Sequence, residues 1–110
     1  MTNRTHCIVM TTTGSLEEAA RLAEALVNQK LAACVQMIPM TSCYPWQGKV
    51  QVESEQLMLI KTAADLYSQV EAAIIRIHNY EVPEIIRVPM DGGFSGYLGW
   101  INENVVPPEE

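Results

Sequence analysis

Two long β-rich stretches, residues 33–46 and 49–61, meet at the dipeptide Gln47-Gly48. Gly48 can take positive φ, so the pair reads as a tight-turned hairpin. It is longer than a typical strand pair. On the return strand Val50 and Val52 point to one side, Gln51 and Glu53 to the other. The run Leu57-Met58-Leu59-Ile60 is continuously apolar, so that end of the hairpin must be covered on both faces. Pro39 and Pro45 cannot donate ladder hydrogen bonds and mark an edge or a bulge. Val35, Met37, Ile38 and Met40 add more apolar surface than two helices can shield. An apolar, interrupted edge hairpin invites aggregation unless another chain covers it. The economical answer is a closed homo-oligomer with its sheets facing inward.

The remaining elements arrange themselves around this hairpin. Residues 7–12 are short and β-rich and read as a first strand. Ser15 with Glu18 three residues on is a capping box. The helix it opens carries Leu16, Ala19, Ala20, Ala23 and Val27 on one stripe and should run to about Lys30. Thr62 and Asp65 can cap a second helix, on which Leu66, Val70, Ala73, Ile74 and Ile77 share a face. A fourth strand follows from Ile85 to Pro89 or Met90. Residues 94–104 read as a short helix with Tyr97, Leu98, Trp100 and Ile101 on its apolar side. The order β-α-β-β-α-β plus a helix is the split βαβ, ferredoxin-like pattern. It implies an α+β fold, an antiparallel four-stranded sheet with two helices on one face. All 110 residues suit one domain, with flexible ends at 1–5 and 106–110.

Charge removes several function classes. The chain has 13 acidic and 7 basic residues, net −6, without a basic run, so nucleic acid is a poor partner. The apolar runs are too short to span a bilayer. No basic segment leads into a long apolar stretch near the start, so no signal peptide is visible and a cytoplasmic location is expected. Cys7, Cys34 and Cys43 are widely spaced, without C-x-x-C or H-x-x-H spacing, so a structural zinc site is not expected. All three read as buried thiols in a reducing compartment. The six methionines read as core. No nucleophile–base pair stands out by spacing, so the chain does not read as an enzyme, and no obligatory cofactor is implied.

Polar chemistry gathers at His78-Asn79-Tyr80-Glu81-Val82-Pro83-Glu84, where a helical pattern stops and the apolar run from Ile85 begins. Pro83 fixes its own φ and presses Val82 towards an extended conformation, so the loop is shaped. A rigid scaffold usually presents function at such a joint. Trp46, Lys61, His78, Tyr80, Glu84 and Trp100 are the polar and aromatic residues expected to gather in one place. Lys61, at the end of an apolar strand, needs a partner, and Glu55 or Glu84 can supply it. His6, beside Cys7 on a strand, faces the opposite way and forms no chelate with it.

With this order in hand, several segments resemble the CutA divalent-cation-tolerance family. They are Lys30-Leu31-Ala32-Ala33-Cys34-Val35, Tyr44-Pro45-Trp46-Gln47-Gly48-Lys49, residues 53–62 with Glu55 and the ending Ile60-Lys61-Thr62, the opening loop, and Tyr97-Leu98-x-Trp100. They run in the family's order from about Cys7 to Trp100. The resemblance implies a ferredoxin-like homotrimer similar to the PII signalling proteins, with long hairpins associating across subunits. It implies a role in tolerance of divalent cations, with copper bound by some members. Animal relatives are tied to anchoring a membrane enzyme, and no catalytic activity comes with the family. Its copper assignment invokes a cysteine at the end of the first strand and histidines before the H-x-Y loop. Here those positions hold Met10 and Ile77, Asn79 replaces the usual proline, and His78 and Met10 remain as metal candidates. Trp46, Glu55, Lys61, Tyr80, Glu84 and Trp100 are then candidates for an intersubunit cleft. Three readings stand: a trimer binding copper or another divalent cation weakly, a PII-like sensor of a small anionic ligand, and a trimeric scaffold for a protein partner. Gly92-Gly93 is too little for a Gly-rich phosphate loop.

Overall fold

The computed structural model describes residues 4–108. Strand β1 (His6–Thr13) is central, antiparallel both to β3 (Lys49–Ala63) and to β4 (Ile85–Pro89), and β2 (Cys34–Trp46) pairs with the far side of β3. The strand order is β2-β3-β1-β4, and helices α1 (Leu16–Asn28), α2 (Tyr67–Ile77) and α3 (Ser95–Glu103) complete the α+β fold. The hairpin turn has positive φ at both Gln47 (51°) and Gly48 (77°), the type I′ geometry that matches the right-handed twist of its strands. Its register runs from Trp46↔Lys49 to Cys34↔Lys61 without a break. β1 reaches only as far as Thr13↔Gln56. Beyond that pair, residues 40–46 and 49–55 continue as a two-stranded arm, and the molecule extends to 52 Å.

The main core lies between the sheet and α1 and α2. Val9, Met58 and Ile60 from the sheet meet Ala19, Leu22, Ala23 and Leu26 of α1 and Val70, Ala73 and Ile74 of α2. Each fully buried aliphatic chain here is worth about 1.5–3 kcal/mol. The buried stripe of α1 is therefore 19, 22, 23 and 26, which corrects the expected one. Leu16 and Val27 are exposed. The i, i+3, i+4, i+7 set centred on two leucines buries more area than the alanine-rich set shifted beside it.

Helix α1 begins as expected. Ser15 is extended, and its hydroxyl accepts the Glu18 N–H at 3.2 Å. Glu17 and Glu18 complement the helix dipole. The helix ends earlier than expected, at Asn28. Lys30 enters the left-handed region at φ 58°, its N–H bonds to the Val27 carbonyl, and the Leu31 N–H bonds to the Leu26 carbonyl. That is a Schellman ending built on lysine in place of glycine.

The second helix departs from the expected capping. A 3-10 turn, Ala64–Leu66, leads into α2, and no side chain caps either element. Thr62 instead donates from Oγ1 to the buried Leu31 carbonyl at 2.7 Å. Asp65 takes two hydrogen bonds from Arg4, at 2.8 and 2.9 Å. Arg4 also donates to the Val106 carbonyl, and the Val106 N–H bonds to the Lys30 carbonyl. Residues 1–3 and 109–110, part of the ends expected to be flexible, lie outside the described residues. Of the described residues in those ends, Arg4 and Val106 are joined to each other and to the body by this guanidinium clamp.

This clamp carries a pH signature. The Arg4 guanidinium holds the Asp65 carboxyl below its ordinary value. A depressed folded-state value gives stability that is complete above the unfolded value and lost as pH falls through the folded one. Denaturant titrations of wild type and Asp65→Asn should therefore differ most near neutrality. The gap should close in acid below pH ~4, the ordinary range of aspartate. Asp65 is half exposed, so the difference at neutrality should be modest.

The opposite face of the sheet carries no long helix. Among the described residues only its Ala63 end is covered, where Ile101 of α3 and Val105 pack with Ala63 and Leu66. His6, buried there, has Nε2 2.8 Å from Oδ1 of Asn102. By strand alternation Ile8, Met10, Ile38, Leu57, Leu59, Ile86 and Val88 share the uncovered face. Ile38, Ile86 and Val88 are exposed.

Candidate functional site

The loop after α2 is held by its own histidine. His78 is extended (φ −68°, ψ 144°), which turns the chain out of the helix. Its Nε2 is hydrogen-bonded to the Thr12 carbonyl, and its Nδ1 accepts the Tyr80 N–H at 3.0 Å. A carbonyl can only accept, so Nε2 donates and the ring is neutral with its proton on Nε2. The Tyr80 ring lies 4.6 Å from the imidazole. Thr12 is the last-but-one residue of β1, so His78 fastens the loop to the end of the central strand.

Fastened in this way, Tyr80 reaches the arm. Its Oη donates to Oε2 of Glu55 at 2.9 Å. Burial, then the hydrogen bond to Glu55, then nearby acidic charges push this phenol far above the ordinary tyrosine range. Glu55 is only 8% exposed, and among the described residues no Lys, Arg or His forms an ion pair with it. A buried carboxylate without a counter-ion is costly, so its setting is functionally informative. Farther along the arm, Glu53 raises the Tyr44 phenol in the same manner.

Between the arm and the loop lies an open cleft of about 760 Å³. The arm contributes Tyr44, Trp46, Glu53 and Glu55, and the loop contributes Tyr80, Glu81, Val82 and Glu84. Thr12, Ser42 and Cys43 complete its wall, and no basic residue belongs to it. Acidic groups and aromatic rings that present negative π faces make this a cleft for positive charge.

Of the residues expected to gather, Trp46, Glu55, Tyr80 and Glu84 share this cleft. Lys61 and Trp100 lie apart from it within one chain; their expected place is a cleft between subunits. Lys61 is six residues from Glu55 on the same strand, roughly 20 Å away at a strand's rise. Its ammonium sits 5.7 Å from the centre of the Tyr97 ring, which stacks on Trp100, so an aromatic face takes the place of the expected glutamate. His78 stands behind the cleft with both ring nitrogens engaged, and a metal there must displace one of those bonds. Met10 lies mid-face between Leu59 and Ile86, in apolar company. The cysteine expectation holds for Cys7, whose thiol is raised chiefly by burial. It fails for half-buried Cys34, paired with Lys61 on the uncovered face, and for exposed Cys43, which lies on the arm beyond the helices.

Sequence reasoning passed over Glu53 and Tyr44 as site residues. The signal was in the turn: counting from Trp46↔Lys49 places Tyr44 opposite Gln51 and Glu53 opposite Ser42, on the side shared with Glu55. Among the described residues, no three His, Cys, Asp or Glu side chains converge closely enough to hold a metal ion. No described helix is long and apolar enough to cross a membrane.

Comparison with known proteins bears on this geometry. The chain is 37% identical over 100 residues to the divalent-cation tolerance protein CutA of Archaeoglobus fulgidus, covering 91% of this chain and 98% of that one. It is 41% identical to the protein of the same name from Thermus thermophilus, over 88% and 95% of the two chains. The crystal structure of CutA1 from Oryza sativa superposes with a TM-score of 0.90 at 37% identity, over 93% and 94% of the two chains. The names of the first two denote tolerance of divalent cations and name no enzymatic activity. The model of the family described as CutA1 divalent ion tolerance protein matches residues 7–104, and the chain belongs to that family.

Proposed function

We propose that this protein acts, without catalysis, in the tolerance of divalent cations, as a cytoplasmic homotrimer of ferredoxin-like, PII-like subunits. In this reading it binds a divalent cation weakly in the cleft between the arm and the His78–Glu84 loop. The observation that carries the reading is Glu55, buried and, among the described residues, without a basic partner at the wall of a cleft lined by Glu53, Glu81 and Glu84. Carboxylate oxygens suit hard divalent ions, which keep part of their water shell and tolerate a loose site. Donors too dispersed in one chain to complete a coordination sphere fit a site finished at a subunit boundary and a weak affinity. The uncovered apolar face supplies the reason for that boundary. Four glutamates and no basic residue argue against a small anion in this cleft, which disfavours the PII-like anion sensor. A His78–Met10 copper site is the second-ranked form of the reading, since it has one imidazole whose nitrogens are already engaged.

Calorimetric titration with Mn²⁺ and Cu²⁺ separates the forms. Wild type should give saturable heat, Glu55→Gln should lose it, and Met10→Leu, which removes the thioether of the copper form and leaves the His78 loop fastened, should keep it. Copper heat that vanishes with Met10 and survives Glu55→Gln would hand the site to the His78–Met10 pair. Silence with every ion in wild type would remove the cation reading altogether.

A further inference from the structure

The cleft and Lys61 lie on one face of one sheet. Strand alternation puts Glu53, Glu55, Leu57, Leu59 and Lys61 of β3 on the uncovered side, and Ser42, Tyr44 and Trp46 of β2 face the same way. The face is therefore charged at both ends and apolar between them. At the arm end stands Glu55, 8% exposed, whose hydrogen bond from the Tyr80 phenol satisfies one oxygen and brings no positive charge. At the other end stands Lys61, half-buried, with the Tyr97 ring 5.7 Å from its ammonium. Among the described residues neither group has an ion-pair partner. Within one chain they do not meet, because six residues of extended strand hold them roughly 20 Å apart.

A second copy of the chain answers both shortages at once. In a closed ring each contact is heterologous, one end of a surface against the other end of the same surface on the next copy. An apolar face with an acid at one end and a base at the other is complementary to itself in that arrangement. Two charges that are each costly to desolvate alone offset one another when they meet. We infer that Lys61 of the partner subunit enters the cleft and pairs with Glu55, so that the site is built from two copies. Among the lysines and arginines of the strands, Lys61 is the one suited to this. Arg87 faces the helices, over the Tyr67 ring, and Lys49 stands exposed at the turn. The inference rests on the preceding reading in taking the protein as an assembly closed through this face. It adds the register of that closure and a cause of weak cation binding, since an incoming ion must displace an ammonium from Glu55.

A double-mutant cycle tests the pair. The quantity measured is the protein concentration at which the assembly dissociates, by sedimentation velocity over a dilution series at one urea concentration below the unfolding transition. Glu55→Gln keeps an acceptor for Tyr80, Lys61→Met keeps a stem against Tyr97, and circular dichroism confirms that each variant is folded. Each single variant should raise the dissociation concentration about tenfold or more, the effect of leaving one partner of a desolvated ion pair alone. Glu55→Gln/Lys61→Met should raise it no further than either change alone, because both remove the same pair. The exchange Glu55→Lys/Lys61→Glu should associate better than either of its single changes. Within one chain the two positions, ~20 Å apart, are screened from each other at physiological salt, so that rescue arises between copies. Lys49→Met should dissociate like wild type. Glu55→Gln and Lys61→Met variants that dissociate like wild type, or whose effects multiply in the double variant, overturn the inference and leave the assembly standing. A wild type found only at 12.3 kDa removes the assembly and the inference together. A wild type of two chains that shows the coupling sustains the pair and removes the trimer.

Discussion

Ile60→Ala will destabilise the protein by about 2–5 kcal/mol, the range for emptying a fully buried aliphatic position. Ile60 has no exposed surface and sits on the middle of the sheet, opposite Val9 of β1 and Val35 of β2. Its side chain belongs to the cluster that joins the sheet to α1 and α2. Close-packed β-strands flank it on both sides, so the cavity has little room to collapse. Leu16→Ala provides the contrast. Leu16 is exposed at the start of α1, and its replacement should stay within about 0.5 kcal/mol. Urea unfolding of both variants at one protein concentration checks the pair, the fixed concentration being needed because association adds to apparent stability. An Ile60→Ala variant as stable as wild type would show that this position is not in the core.

The same contrast explains what was legible in the sequence. Helix and strand identities followed from periodicity and turn chemistry, because those signals are local: Gln47-Gly48 marks the hairpin, Ser15 the first helix. The stripe of α1 was misplaced by a fraction of a turn because alanines populate several faces and carry little positional information. Asp65 read as a cap because the spacing allowed one. Its real partner, Arg4, is 61 residues away, and no local pattern reports such a contact. The candidate site was half legible for the same reason. The loop from His78 announced itself by composition, whereas its companions Glu53 and Tyr44 become visible only when the arm's register is carried along the strand from the turn. Lys61 was grouped with Glu55 because an ammonium at the end of an apolar strand needs a partner; within one chain six residues of extended strand separate the two, and Tyr97 takes that place.

The uncovered face yields the second large effect. If the proposed trimer meets through this face, the double variant Ile38→Glu/Ile86→Glu should fall from a particle of three chains to one of 12.3 kDa, the mass of a single chain. Ile38 is 44% exposed and Ile86 48% exposed, on the two edge strands β2 and β4. Partly solvated positions accept a carboxylate at small cost to an isolated chain. In a face shared by copies of this chain the same carboxylates would be stripped of water without a partner, at several kcal/mol each. Two substitutions per subunit, repeated at each contact, exceed what a standard interface holds in reserve. Light scattering at micromolar concentration gives the mass, and circular dichroism shows whether the separated chains keep their fold. A folded single chain would also isolate the cleft's own affinity from any contribution of a neighbour. A double variant that keeps a wild-type mass of several chains would place their contact away from the apolar face, and a wild type of 12.3 kDa would refute the proposed trimer.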